Sequence, residues 1–341
     1  MTLSRPALTL ICCLAMASGA WAQSWSVVKE ENDPSLRIYC DGLLVTKYHH
    51  EGVDRPFFHP VIGPTGEPLT RGFPMAPAEG EPTDHPHHRS LWFAHRGVNG
   101  IDFWSEPAAA DDAPVPGTSA NGEVKFGRIR HTGFGSMKMG SNPATFTVRN
   151  DWVGPDGRKV CEDVRVHTFA KTADGGYVWD WDVTVKATAG PVTFSDTEEG
   201  TLALRLANGL CLVGGPNRDV PGTGGFLTSE GVRGREVWGR RASWLDAFGP
   251  DRNGQTVGVA VFDHPGNLRH PTWWHARDYG LVAANPFGLR SFEKKDKPEG
   301  EFAVMPGGML RFRYRLYLHR GTPEEAGVGE AYAAYAREAE S

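Results

Sequence analysis

Cysteine is scarce, five in 341 residues, and Cys12 and Cys13 fall in an N-terminal apolar run. Cys40, Cys161 and Cys211 permit at most one disulfide, which excludes a disulfide framework and favours buried free thiols. Long apolar runs are missing too. The longest, Leu8 to Ala17, is too short to span a bilayer, and a mean hydropathy of −0.40 excludes a polytopic membrane protein. There is no basic excess: 36 Lys+Arg stand against 41 Asp+Glu, without a basic cluster, which argues against nucleic acid or an anionic membrane as partner. No P-loop, dinucleotide fingerprint, G-x-S-x-G, H-E-x-x-H or C-x-x-C occurs. With 42 Gly and 25 Pro, both costly inside helices, a helical bundle is excluded.

What is present begins with a leader. Arg5 supplies the positive end, Leu8–Ala17 the apolar stretch, and Ala20-Trp21-Ala22 a small-residue cleavage site. Residues 1–22 are therefore expected to be a signal peptide, with a mature domain over 23–341 in the periplasm or outside the cell and no membrane span after cleavage. The cysteines in the apolar run leave a lipoprotein as the alternative, although Ile11 before Cys12 is a poor match for one.

Period-2 alternation dominates the mature chain. Leu310, Phe312, Tyr314, Leu316 and Leu318 alternate with Arg311, Arg313, Arg315, Tyr317 and His319, and Tyr177 to Lys186 reads the same way. Shorter strands are predicted at 24–29, 36–40, 43–48, 124–130, 145–152, 159–170, 201–206, 257–262 and 281–284. Gly and Pro clusters separate them, and Ala173-Asp174-Gly175-Gly176 reads as a hairpin turn. One helix is predicted, capped by Thr322, with Pro323 in its first turn, Glu325 at the capping-box position and a run from Glu330 to Glu340. Residues 64–84 and 106–121 read as long loops. The expectation is all-β: one large antiparallel β-sandwich with a short C-terminal helix.

Seven of the 13 histidines fall in two knots. The first holds His85, His87, His88 and His95 near Arg89, Asn99, Asp102 and Trp104; the second holds His264, His270 and His275 near Trp273, Arg277 and Asp278. In an extended segment His85 and His87 share a face, a spacing that suits a divalent metal if a third ligand arrives from elsewhere. The bland alternative is that these groups satisfy one another and pin an irregular loop. Aromatic rings beside Asp, Asn and Arg also suit the apolar faces and polar edges of sugars, with Trp104 and Trp273 as platform. Trp92 and Phe93 read more simply as straddling a strand. Glu198 and Glu199 enter a strand on opposite faces, so one of them can join a given site as the carboxyl that glycoside or epimerase chemistry needs.

The segments Asp84-His85-Pro86-His87-His88-Arg89-Ser90-Leu91-Trp92-Phe93, Val98-Asn99-Gly100-Ile101-Asp102-Phe103-Trp104, Trp274-His275-Ala276-Arg277-Asp278-Tyr279-Gly280 and Asn285-Pro286-Phe287-Gly288 resemble a bacterial family of exported proteins of unknown function. That family is often carried under the label "methane oxygenase PmoA". A membrane methane monooxygenase needs several long apolar spans, and the mature chain has none. The end of the chain, Pro306-Gly307-Gly308 and the Arg-rich strand into His319-Arg320-Gly321, is similar to the last strands of galactose-mutarotase-like β-supersandwich proteins. This resemblance implies a concave sugar site using a His as acid and a carboxylate as base.

Three functions follow as expectations. The first is an exported hydrolase, lyase or epimerase for a glycoside or modified sugar. Its catalytic candidates are His87, His88, His95, Asp102, Glu198, Glu199 and His275. Its substrate-binding candidates are Arg89, Asn99, Trp104, His264, His270, Trp273, Arg277 and Asp278. The second is a non-catalytic carbohydrate-binding protein. The third is a protein holding zinc, copper or manganese, with His85 and His87 as ligands. The two knots are expected to line one cleft.

Overall fold

The computed structural model describes residues 24–29, 33–107 and 124–338. The leader, its cleavage site before Gln23 and most of the 106–121 loop lie outside the described residues.

Alternating sequence becomes one-sided burial. In Tyr177–Lys186 and Lys159–Lys171 every second side chain is buried, and the two strands pair antiparallel through the Asp174-Gly175 turn. Met309–Arg320 joins them on the other side, from Tyr177 opposite Leu318 to Lys186 opposite Met309. These strands centre an eight-stranded sheet, in the order 225–228, 244–250, 256–263, 309–320, 177–186, 159–171, 144–153 and 128–138. The edge strand Arg128–Lys138 starts later and runs further than its sequence suggested. Gly133 and Gly135 erase its alternation, and the register shifts twice along its single partner.

A second sheet has eleven strands, with the main path 25–29, 36–40, 43–49, 57–61, 91–98, 200–205, 281–285 and 273–276. The sheets meet through aromatic rings: Phe58 lies 4.6 Å from Trp179 and 5.3 Å from Trp181, and Phe93 5.4 Å from Phe312. One contiguous apolar core joins both sheets. The antiparallel β-sandwich expected from the sequence is the architecture observed.

The capping box forms, with Thr322 and Glu325 exchanging backbone hydrogen bonds of 2.8 and 3.3 Å. The helix itself, however, runs Val328–Glu338. Gly327 adopts a positive φ of 62°, which interrupts the helical path, so the box closes a turn instead of the first helical turn. Val328 and Tyr335 bury against Ala260, Phe262 and Tyr317 on the outer face of the eight-stranded sheet. Cys40, Cys161 and Cys211 are buried free thiols.

Candidate functional site

Four strands of the larger sheet, Leu91–Val98, Gly200–Arg205, Leu281–Asn285 and Trp273–Ala276, lie side by side. Their register sets Trp92, Ala203, Ala283 and His275 in one row. The next row, Phe93, Leu202, Ala284 and Trp274, faces the other sheet, so the Trp92 row lies on the outer face. Both rows are buried because the 84–90 segment folds over the outer one.

That segment builds a layer of rings. His88 stacks on Trp92 at 5.4 Å, His85 on His88 at 4.7 Å, and His85 on Tyr279 at 5.2 Å. Trp104 packs 5.0 Å from Trp92. Here the first knot meets the Trp273–Tyr279 part of the second. Asp84 anchors the layer. It accepts hydrogen bonds from Arg71 at 2.7 Å, Arg205 at 2.8 Å and the His85 ring at 2.7 Å, with Arg218 at 3.1 Å. The Arg205 guanidinium in turn lies 4.4 Å over Tyr279. On the other side Arg55 sits 5.7 Å over Trp92 and donates to the His87 carbonyl. Arg89 forms a two-point pair with Glu106 at 2.6 and 2.7 Å.

The carboxylates gather at the far end of the same strands. Arg96 reaches Glu199 at 3.1 Å and Asp102 at 3.3 Å. Asp102 also accepts the backbone N–H groups of Trp104 and Ser105, so it shapes the turn that carries Trp104. His275 Nδ1 donates to the Glu198 carbonyl at 2.8 Å, which fixes the neutral tautomer with Nε2 as acceptor. Burial pushes His275 down to about 4, His87 to about 2 and His88 well below the usual imidazole range. Burial pushes the Glu199 carboxyl up, against the opposing charge of Arg96. His87, His88 and His275 are thus neutral near pH 7, and burial favours the protonated form of Glu199 more than that of an exposed carboxyl.

The other candidates sit apart from the layer. His95 faces the core, bonded to the Ser195 carbonyl at 2.9 Å between Phe194 and Phe287. Asn99 ties a turn to Pro191 and Thr193. His270 pairs with buried Asp263 at 2.7 Å, and His264 packs edge-on against Tyr335 of the terminal helix. The second knot is therefore split: its Asp263–His270 half latches a loop on the other sheet's side, and its Trp273–Tyr279 half joins the layer. Trp273 is no open platform, since Arg241 covers it at 4.4 Å. Asp278 pairs with Arg235 at 3.0 Å, and exposed Arg277 lies 6.0 Å over Trp238. Among the described residues no three His, Cys, Asp or Glu side chains converge as a metal shell, and one His85 nitrogen is committed to Asp84.

Sequence reasoning passed over Arg55, Arg71 and Arg205, isolated in sequence from the knots' histidines or read as ordinary strand residues, and it named Tyr279 only within the Trp274–Gly280 segment, without a role. It also passed over a groove beside Arg89, about 690 Å³, between His50 and His131. The adjacent His49-His50 pair at a strand end was the available signal.

Residues 35–333 match a family described as being of unknown function, DUF6807. The chain belongs to the DUF6807 family. No curated protein matches it. Solved structures similar to this DUF6807 protein include an alpha-galactosidase from Lactobacillus brevis, at 9% identity and a TM-score of 0.37, covering 87% of this chain and 39% of the other. The Slr1438 protein from Synechocystis sp. PCC 6803 overlaps at 9% identity and TM-score 0.35, covering 87% and 96%. A GalM/aldose epimerase homologue from C. elegans overlaps at 8% identity and TM-score 0.31, covering 88% and 100%. The DUF6807 chain thus spans well under half the length of that alpha-galactosidase. No site residue is carried over from any of the three.

Proposed function

We propose that this DUF6807 protein is an exported, carbohydrate-active protein that takes a glycoside or modified sugar at the His88–Trp92–Tyr279 layer and cleaves it as a hydrolase or lyase. One observation carries the reading. Arg55 Nε and Nη1, Arg71 Nε, Trp92 Nε1, Trp104 Nε1, and Arg205 Nε and Nη1 are buried without an acceptor among the described residues. These nitrogens can only donate. Leaving one unsatisfied costs about 1–3 kcal/mol, so their concentration in one layer suits acceptors from outside the fold, whether ordered water or an acceptor-rich ligand. A sugar meets that need with its ring and hydroxyl oxygens, and its C–H faces suit the flat rings. His87 Nδ1, His88 Nδ1 and His275 Nε2 are also unpartnered and complete the inventory with groups able to accept hydroxyl protons.

In this reading Glu199, whose protonated form is favoured by burial, donates to the leaving oxygen, and Arg96 steadies the carboxylate it becomes. His275, oriented by the Glu198 carbonyl, accepts a proton from water or from the sugar. The apolar run and the A-x-A site before Gln23 support export.

Binding without turnover is the second reading, favoured by the engagement of Asp102 in its own turn, which removes one carboxylate from chemistry. The test is a panel of glycosides offered to the wild-type protein, Glu199→Gln and His275→Gln. Turnover that both variants lose while Glu199→Gln keeps its affinity supports the enzyme. Binding without turnover supports the second reading, and binding of no glycan overturns both.

A further inference from the structure

The groove beside the layer has its own chemistry. The chain leaves the Leu43–His49 strand, turns at Gly52 with φ 69°, and returns toward Phe57. His50, Glu51 and Asp54 on this turn face Arg128, Arg130 and His131 of the edge strand across about 690 Å³. A neighbouring cavity of about 600 Å³ shares Asp54, Arg128 and Arg130 and adds Lys125. Each lies within the size range of small-ligand sites, and the three shared residues join them into one trough.

Its charges do not cancel within the fold. Arg89 is committed to Glu106, Arg128 to Asp54 at 2.9 Å, and Glu51 to Lys29 at 3.5 Å. Asp151, opposite Arg130 in the strand register, is held by Lys159 at 2.9 Å. Arg130 and Lys125, both exposed, are left with no ion pair among the described residues. His50 adds a second observation. It is over nine-tenths buried, and neither ring nitrogen has a hydrogen-bond partner among the described residues, with the Glu51 carboxylate 3.9 Å from Nδ1. It is wedged 4.5 Å from His131, 5.2 Å from Tyr48 and 5.3 Å from Phe134. Burial keeps both imidazoles neutral, with His131 pushed down to about 4. A neutral imidazole both donates to and accepts from hydroxyl groups.

The trough also leads somewhere. Glu106, which pairs with Arg89 on the groove wall, is 3.7 Å from Arg55, and Arg55 covers Trp92 in the layer. We infer that this trough binds the acidic part of a charged glycan, with carboxylate or sulfate groups on Arg130 and Lys125, hydroxyl groups at His50 and His131, and the scissile end directed past Arg89 toward the layer. The inference rests on the carbohydrate reading above and adds the substrate class to it. An overall charge of −5 disfavours long polyanions, so the fit is to a short acidic oligosaccharide.

Calorimetry with trigalacturonate, neutral galactotriose and inorganic sulfate tests this on the wild-type chain and on Arg130→Glu, Lys125→Glu and Arg205→Gln. Trigalacturonate should bind at least about tenfold tighter than galactotriose at about 50 mM salt, with the advantage shrinking at about 500 mM. Arg130→Glu should remove most of that advantage and Lys125→Glu part of it; both residues are exposed, and thermal melts confirm folding. Equal affinity for the two sugars, an advantage that survives both reversals, or sulfate binding as tightly as trigalacturonate would overturn the inference. Galactotriose binding that Arg205→Gln abolishes, with no effect of the groove variants, leaves the layer reading standing and the groove inference refuted. No binding of either sugar refutes the acidic-glycan inference, and the broader glycoside panel then decides the layer reading separately.

Discussion

Asp84→Asn removes the charge at the centre of the layer without removing its volume. The Arg71 and Arg205 side chains that it pairs are 1% and 0% exposed. Stripping the partner from buried charges costs about 3–5 kcal/mol. Arg218, 36% exposed, adds at most about 1 kcal/mol. Because Asn retains one acceptor oxygen, the lower end applies, about 3 kcal/mol, or roughly 6 °C in Tm at about 2 °C per kcal/mol for a chain of this size. Burial pushes the Asp84 carboxyl up, but the hydrogen bond from His85 and the charges of Arg205 and Arg71 outweigh it and hold it below the usual carboxylate range. Its contribution is then fully present above about pH 4, the unfolded value, and is lost as pH falls toward the folded one. Urea melts of both proteins should differ by a constant amount between about pH 5 and 8, narrowing below about pH 4. A loss under about 1 kcal/mol at pH 7 would refute the view of Asp84 as the charge anchor of the layer. So would a difference that does not narrow in acid.

Three further outcomes are expected. His87, His88, His95 and His275 are buried neutral, so the unfolded chain takes up more protons below about pH 6.5, and stability should fall by more than about 1.4 kcal/mol per pH unit between pH 6.5 and 5 in urea melts; a flat profile contradicts this. His319 has the opposite sign. Burial opposes its charge, but Asp246 at 3.2 Å outweighs burial and raises it, so its contribution holds below about pH 6.5 and is lost as pH rises through the folded value. An NMR titration should place its midpoint above about 6.5, and Asp246→Asn should bring it below; an unmoved midpoint removes the pair as the cause. A Cβ on Gly200 would collide with the His95 ring, so Gly200→Ala should cost about 1–3 kcal/mol in thermal melts. Wild-type stability in that variant would mean that His95 is not packed as described.

The legible half of the fold is the half with one wet face. Tyr177–Lys186 and Met309–Arg320 alternate because one side of each is covered and the other meets solvent or salt bridges. Leu91–Val98 and Trp273–Ala276 are buried on both faces, so their sequences carry no period of two, and their His and Trp residues read as loop chemistry. For the same reason Trp92, expected to straddle core and surface, is buried in the layer. Composition pointed to His85, His87, His88, Trp104 and His275 because uncommon residue types cluster there. It could not separate them from His95, His264 and His270, which satisfy local partners. Arg55, Arg71 and Arg205 escaped because an arginine in a strand or loop is ordinary until the fold buries it. Their convergence on Asp84 and Trp92 depends on long-range pairing that no local pattern encodes.

The carbohydrate reading stands or falls on the indole N–H groups of the layer. Trp92 Nε1 and Trp104 Nε1 have no partner among the described residues, whereas Trp152 Nε1 donates to Asp163 at 2.7 Å and Trp274 Nε1 to the Ala242 carbonyl at 3.0 Å. In a nitrogen–proton spectrum of the labelled protein titrated with the glycans of the binding panel, the Trp92 and Trp104 indole signals should move downfield as acceptors reach them. Those of Trp152 and Trp274 should stay in place. Saturable glycan binding that leaves the Trp92 and Trp104 signals unmoved would contradict the account and place the sugar elsewhere on the molecule.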